Sequence, residues 1–140
     1  MRLITLTDKF YDLYGDCEEI LHKRSRPYAY LGVKIDGVNF AIPFRHHIIH
    51  KHAFFTYGEC GLDYTKAIVI WDEEFIDSSH VQIEQIEFNA IKGKEYRIQT
   101  GMRNYLALYR KAVKYRDNHH YDVIRECSSL QYFHKQLRIK

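Results

Sequence analysis

The sequence predicts an α+β fold in a single domain over residues 1–140, with antiparallel strands mainly in the first half and helices in the second. Two stretches rich in apolar residues flank the pair Asp36-Gly37, which supplies the positive φ that a two-residue hairpin turn needs. Ala67–Trp71 is a continuous apolar run, typical of a buried strand. Between residues 94 and 116 the apolar side chains recur at helical spacing, which predicts one long amphipathic helix.

The other elements are assigned from shorter signals. Alternation predicts a strand over 2–7, and Thr7 or Asp8 can cap a short helix that Gly15 ends. The hairpin strands are 28–35 and 38–43, and the second is expected to end at Pro43 or lie on an edge, because proline has no N–H to donate. After the hairpin we expect a loop or helical turn over 46–52, a strand over 53–56 and a loop with Gly58 and Gly61. These are followed by the strand over 67–71 and an acidic turn over 72–79. A strand over 81–83 and a helix over 84–92, closed by Gly93, then lead to the long helix. The chain should end with the long helix over 94–116, a break at 118–121, a helical piece over 121–127 and a helix over 130–137 capped by Ser128 or Ser129.

Composition narrows the class of protein. A chain of this length can bury a core without disulfides, and its 3 cysteines are widely spaced with no C-x-x-C pair, which predicts neither a disulfide framework nor a cysteine zinc site. No apolar run is long enough to span a membrane and residues 1–7 do not form a hydrophobic leader, so a cytoplasmic protein is expected. A net charge of +3 and 12 tyrosines fit a surface that meets nucleic acid without requiring one.

The second hairpin strand leads into a cluster of histidine and cationic side chains. Four of the 9 histidines lie here together with Arg45 and Lys51, namely His46, His47, His50 and His52. Histidine can take and give a proton near neutral pH, and the neighbouring cations favour an anionic ligand such as a phosphodiester. The alternative is an ordinary solvated loop.

The long helix carries a second group of cations along one flank. They are Arg97, Arg103, Arg110, Lys111, Lys114 and Arg116. Such a flank can follow a phosphate backbone, or it can be a solvated helix face.

Three motifs, in this order and spacing, carry a resemblance to a known family. They are the hairpin with its strand end (Tyr28–Arg45), the segment Gly61-Leu-Asp-Tyr-Thr-Lys-Ala-Ile-Val-Ile70, and the tyrosine-rich helix followed by Cys127-Ser-Ser-Leu130. Over nearly its whole length the chain resembles the toxins of type III toxin–antitoxin systems. It is most similar to the TenpN and CptN branches and less similar to ToxN and AbiQ.

This resemblance implies a fold and an activity. The fold would be a strongly twisted, barrel-like antiparallel sheet as in MazF-like ribonucleases, surrounded by helices. The activity would be that of a sequence-specific endoribonuclease without metal or other cofactor, acting on cellular or phage RNA. Its partner would be a small structured RNA antitoxin, a pseudoknot that the toxin cuts from a repeat precursor and that holds it inactive in a closed protein–RNA assembly.

The chemistry of metal-free RNA cleavage suggests which residues carry it. The 2′-OH is the nucleophile, so the enzyme supplies a base for it, an acid for the leaving 5′-oxygen and positive charge for the phosphorane. The candidate catalytic residues are Arg45, His46, His47, His50, Lys51, Thr56 and Lys66. The candidate RNA-binding residues are Tyr28, Tyr30, Lys34, Tyr57, Tyr64, Lys92, Lys94, Arg97, Arg103, Arg110, Lys111 and Lys114.

One departure from the family leaves the individual roles open. In the ToxN branch the catalytic groups follow the strand-ending proline as Thr-Ser-x-Lys, and here Phe44–Lys51 holds that place. The position of the site carries over, but which histidine is base and which is acid does not. Because the segment is expected to be a surface loop, substitutions at Arg45, His46 or His47 should abolish cleavage and leave the fold intact.

Two other classes of function remain. If 46–52 is helical, His46 and His50 have the spacing of a metal-binding pair, and His47, His52 or Cys60 could complete a zinc site of a hydrolase. The chain could also be a non-catalytic RNA-binding module, with tyrosines for stacking and cations for phosphate contacts.

Overall fold

The computed structural model describes residues 1–22, 28–79 and 81–140, and within them the predicted α+β class is confirmed. The strands of this described part are β1 (Arg2–Leu6), β2 (Tyr30–Ile35), β3 (Val38–Arg45), β4 (Ala53–Tyr57), β5 (Cys60–Asp63), β6 (Ile68–Val69) and β7 (Ile76–Asp77). Its α-helices are α1 (Asp8–Tyr14), α2 (Gln85–Ile91), α3 (Glu95–Lys114), α4 (Asp122–Cys127) and α5 (His134–Leu137). Short 3₁₀ turns lie at Tyr64–Lys66, Glu73–Phe75, His119–Tyr121 and Ser129–Tyr132.

The strands form one antiparallel sheet. Its order is β4-β5-β3-β2-β1-β7, and β6 pairs with β3 beside this path. Over the described ranges no pairing joins β4 to β7, so the sheet is open and the expected barrel-like closure is not formed.

The hairpin of β2 and β3 is confirmed and fixes the centre of the sheet. Asp36 and Gly37 have φ of 50° and 84°, as a type I′ turn requires. The strand does not end at Pro43, however, but continues to Arg45. On its edge away from β2, β3 pairs with β6 at Phe40–Ala41 and with β5 at Phe44–Arg45. Pro43 lies between these two paired segments, where the strand needs no N–H donor.

The long helix is confirmed, and its apolar stripe closes the core. The buried residues of α3 are Ile98, Met102, Tyr105, Tyr109, Ala112 and Val113. All of them except Ala112 join one continuous cluster with side chains from the sheet, such as Phe40 and Leu62, and from the C-terminal segment, such as Leu130 and Phe133.

Four shorter predictions need correction. The loop with Gly58 and Gly61 is instead a tight hairpin, with Gly58 at φ 51° and Cys60–Asp63 forming β5. The buried strand over 67–71 shrinks to Ile68–Val69, which pairs with Phe40–Ala41 of β3. Residues 81–83 have no strand partner in the part of the chain that is described, and the last helix splits into a 3₁₀ turn, which Ser128 caps, and α5. Among the described helices, none is long and apolar enough to cross a membrane.

Gly61→Ala is expected to destabilise the protein strongly. A Cβ at Gly61 would lie 2.2 Å from the carbonyl oxygen of Phe54 and 2.9 Å from the Cα of Phe55, so the backbone of β4 must move. We expect a loss of about 1–3 kcal/mol or more, the range for overpacked cores, measured as the urea midpoint. Gly32→Ala is the matched control, because its Cβ would meet the flexible Arg2 side chain at 3.4 Å. Equal midpoints for the two variants would contradict the assigned β4–β5 register.

Candidate functional site

A cavity of about 580 Å³ lies where the loop after β3 meets α3 and the segment around α4. Its volume falls in the range of ligand sites in proteins. Its lining residues are Arg45, His50, Lys51, His52, Thr65, Lys66, Tyr105, Leu108, His120, Tyr121, Val123, Ile124 and Cys127. Cationic and imidazole groups therefore share this cavity with apolar and aromatic groups.

The carboxylate of Asp63 organises the polar side of this cavity. It is fully buried, and its Oδ2 accepts a hydrogen bond of 2.7 Å from Nη1 of Arg45. Its Oδ1 accepts from the backbone N–H of Thr65 at 2.9 Å and from the Thr65 hydroxyl at 2.6 Å. Nε2 of His50 lies 3.2 Å from the same oxygen. A buried carboxylate is tolerated only when it is paired and hydrogen-bonded in this way.

The contacts of His50 define its tautomer. Its Nδ1 accepts the backbone N–H of His52 at 3.0 Å, so the ring proton is on Nε2, which points at Asp63. Both ring nitrogens are thus used inside the protein. His50 is held as a positioning residue, and it would have to give up one of these contacts to exchange a proton with a ligand.

His52 is the histidine whose ring is open to the cavity. Its ring centroid lies 5.6 Å from that of Tyr105 and 5.9 Å from that of His50, and no described residue hydrogen-bonds to it. Burial lowers the pKa of His52, and the neighbouring His50 and Lys51 lower it further, while Asp63 opposes them. The ring is therefore neutral at pH 7 and can accept a proton.

Three cations line the same cavity as this ring. Arg45 keeps 31% of its side chain exposed while bound to Asp63, and Lys51 is exposed beside His52. Lys66 reaches across the cavity, where its Nζ donates to the carbonyl of Cys127 at 2.8 Å. Burial raises the pKa of Tyr105, so its phenol stays protonated and can donate a hydrogen bond.

The structure divides the predicted histidine cluster between two sides of the sheet. Arg45, the last residue of β3, lines the cavity, whereas His46, at the bend directly after the strand, does not. Nδ1 of His46 lies 3.5 Å from Sγ of Cys60, near the buried Glu87, whose pKa is raised by burial and lowered by His46. Thr56 is on this far side too, donating to the carbonyl of Cys60 at 3.0 Å. His47, at φ 57°, is exposed where the chain turns away from the strand.

The helical pair proposed for zinc is not formed. Residues 46–52 are a loop with bends, and His46 and His50 belong to the two different sides described above. In the described ranges, no three histidine, cysteine or carboxylate side chains are placed to hold a metal ion together.

The tyrosines predicted to stack on RNA are mostly parts of the core. Tyr30 and Tyr64 are buried, with exposures of 0% and 4%, and the Tyr64 hydroxyl donates to the carbonyl of Ile98 at 2.9 Å. Neither ring is accessible to a base, which corrects that expectation. Tyr28 packs half-buried against the core, and Tyr57 donates to Oε2 of Glu84 at 2.9 Å, away from the cavity.

The predicted basic residues lie on surfaces outside the cavity. Those that are exposed are Lys34, Lys92, Arg97, Arg103, Arg110, Lys111 and Lys114, and Lys94 is half-buried. Three of them have contacts within the described chain: Nε of Arg103 is 3.9 Å from Oδ1 of Asp36, Nη2 of Arg110 donates to the carbonyl of Leu137 at 3.0 Å, and Nζ of Lys114 lies 5.5 Å from the centroid of the Tyr115 ring.

Sequence reasoning missed three of the groups that shape this site. Asp63 and Lys66 are the two charged residues of the mainly apolar segment from Cys60 to Val69. Asp63 also begins an Asp-x-Thr sequence, in which the aspartate side chain often caps a turn. Tyr105 stands in the apolar stripe of α3, which by itself predicts only burial, and His120 has no local signal.

Comparison of the chain with family models, with curated proteins and with solved structures finds no match.

Proposed function

We propose that this protein is a metal-independent endoribonuclease that cleaves RNA through attack of the 2′-OH on the adjacent phosphate. The observation that carries the proposal is the cavity that a neutral histidine, His52, lines together with Arg45 and Lys51. This reaction needs a proton acceptor for the 2′-OH nucleophile and positive charge to stabilise the phosphorane. The cavity contains both kinds of group. The resemblance of the sequence to type III toxins supports the same class of reaction.

In this mechanism each group of the cavity has a distinct task. His52 takes the proton of the 2′-OH, while Arg45 and Lys51 contact the phosphate oxygens. Arg45 is pre-oriented by Asp63, so its guanidinium does not need to reorganise when the substrate binds. His120, on the opposite side of the cavity, gives a proton to the leaving 5′-oxygen. The 2′-oxygen forms the new bond to phosphorus and the bond to the 5′-oxygen breaks.

The proposal extends to a partner and a setting. The exposed cations of α3 lie outside the cavity, so they suit a folded RNA that is bound through its phosphates, as a type III antitoxin would be. The processed end of that RNA would occupy the cavity as bound product, in a closed assembly of protein and RNA in the cytoplasm. The open sheet would then be a variant of the MazF-like barrel, separated between β4 and β7.

The products of the reaction test the mechanism directly. We expect the purified protein, in excess chelator, to cut single-stranded RNA and leave a 2′,3′-cyclic phosphate and a 5′-hydroxyl, identified by mass spectrometry of the fragments. A DNA strand of the same sequence should stay intact, because its sugars lack the 2′-OH nucleophile. Fragments with a 3′-hydroxyl and a 5′-phosphate, or activity that chelator abolishes, would contradict the mechanism.

A further inference from the structure

A second groove meets the main cavity along one wall. It has a volume of about 290 Å³ and is lined by Lys51, His52, Ala53, Tyr64, Gly101, Asn104, Tyr105 and Leu108. Four of these residues also line the main cavity, namely Lys51, His52, Tyr105 and Leu108. They form a ridge with a binding space on each side of it.

A ligand that extends across a ridge fits this arrangement better than a compact one. A small molecule would fill the larger cavity and leave the second groove unused, whereas a single-stranded nucleic acid can place one nucleotide on each side. The phosphate between the two nucleotides would then lie at the ridge, next to the cationic Lys51 and the ring of His52.

The second groove offers both surfaces that a nucleobase needs. Its accessible apolar surface comes from Ala53 and Leu108, because the rings of Tyr64 and Tyr105 that border it are only 4% and 3% exposed. Gly101 contributes no side chain to this groove, and a Cβ there would lie only 2.2 Å from the Tyr64 hydroxyl, so glycine is required where Tyr64 packs against α3. Asn104 is exposed on α3 at this groove, and no described residue hydrogen-bonds to its amide group.

We propose that the second groove binds the base next to the scissile phosphate and that Asn104 selects this base. A carboxamide donates and accepts at the same time, and it makes a bidentate pair with adenine through N6 and N7. The expected preference is therefore for adenine at this position. The inference rests on the proposed function, because it takes the ridge as the place where RNA is cut.

Binding of an uncleavable RNA tests the subsite independently of catalysis. The probes are four single-stranded hexanucleotides, 2′-O-methylated at the cleavage position so that the nucleophile is blocked, that differ only in the base next to it. We expect the wild-type protein to bind the adenine probe about 5-fold to 100-fold more tightly than the others, the range that corresponds to one bidentate pair. Asn104→Ala should bind all four equally, at the affinity that the wild type shows for the weaker probes. Asn89→Ala, which removes an exposed amide from α2, is the matched control and should keep the wild-type preference.

The outcomes separate the subsite from the reaction. Equal wild-type affinity for all four probes, or an unchanged preference in Asn104→Ala, overturns the role of Asn104. If the preference depends on Asn104 but the unblocked RNA is never cut, the subsite stands and the ribonuclease proposal fails. If the unblocked RNA is cut with the same base preference by the wild type and Asn104→Ala, the ribonuclease proposal stands and the subsite fails.

Discussion

Arg45→Ala is expected to lower the free energy of unfolding by about 2–4 kcal/mol. Removing one partner of a buried ion pair costs about 3–5 kcal/mol, because the other charge stays buried without compensation. The expected loss lies somewhat lower, since 31% of the Arg45 side chain is exposed while Asp63 has no exposure. The measurement is urea unfolding at pH 7, followed by the fluorescence of the single tryptophan, Trp71.

A double-mutant cycle identifies the cause of this loss. Arg45→Ala/Asp63→Ala should be less destabilised than the sum of the two single variants, because the double variant leaves no unpaired buried charge. Arg103→Ala is the control, since its distant contact with the exposed Asp36 should contribute less than about 0.5 kcal/mol. A loss in Arg45→Ala no larger than in Arg103→Ala would show that the Arg45–Asp63 pair is not formed in solution.

This prediction corrects an expectation from the sequence. As a surface loop residue, Arg45 should have been replaceable without harm to the fold. In the structure it is the cationic partner of a buried carboxylate, so loss of activity in Arg45→Ala does not by itself show a catalytic role. Arg45→Lys keeps the positive charge and therefore separates the effect on stability from the effect on catalysis. If this variant stays folded but cleaves RNA more slowly, the planar guanidinium is needed at the phosphate.

His52→Ala is expected to lower the rate of RNA cleavage by about 100-fold or more, the usual cost of a lost general base, while the protein stays folded. The pH dependence gives a second readout. The active form of His52 is neutral and its pKa is lowered from 6.5, so the acidic limb of the wild-type pH–rate profile should lie below pH 6.5. This acidic limb should be absent from the residual activity of His52→Ala.

The other histidines provide the contrast. His22→Ala removes an imidazole that bonds to the carbonyl of Cys17, outside the cavity, and should cleave at the wild-type rate. His46 lies on the far side of the sheet with Cys60. If His46→Ala lost activity and His52→Ala kept it, the reaction would belong to that far side, and the proposed site would be wrong.

Local signals in the sequence correctly predicted the elements whose formation depends on residues close together in the chain. Asp36-Gly37 specified the central hairpin, because the positive φ it supplies acts over only a few residues. The helical spacing of apolar residues specified α3 and its buried face in the same way. The position of a cationic and histidine-rich segment at the exit of β3 also followed from the sequence.

Tertiary structure decided which of these side chains share a site. Asp63 meets Arg45, 18 residues away, because β3 pairs with β5 in the register Phe44–Leu62 and Arg45–Gly61. His120 and the wall around α4 reach the cavity only because the helices pack on each other after α3 ends. His46 and His52 are separated because the chain bends directly after β3 and runs through a loop before β4 begins. Periodicity describes one element at a time, whereas a site depends on pairing and packing between residues that are distant in the chain, and those interactions leave no pattern in the local sequence.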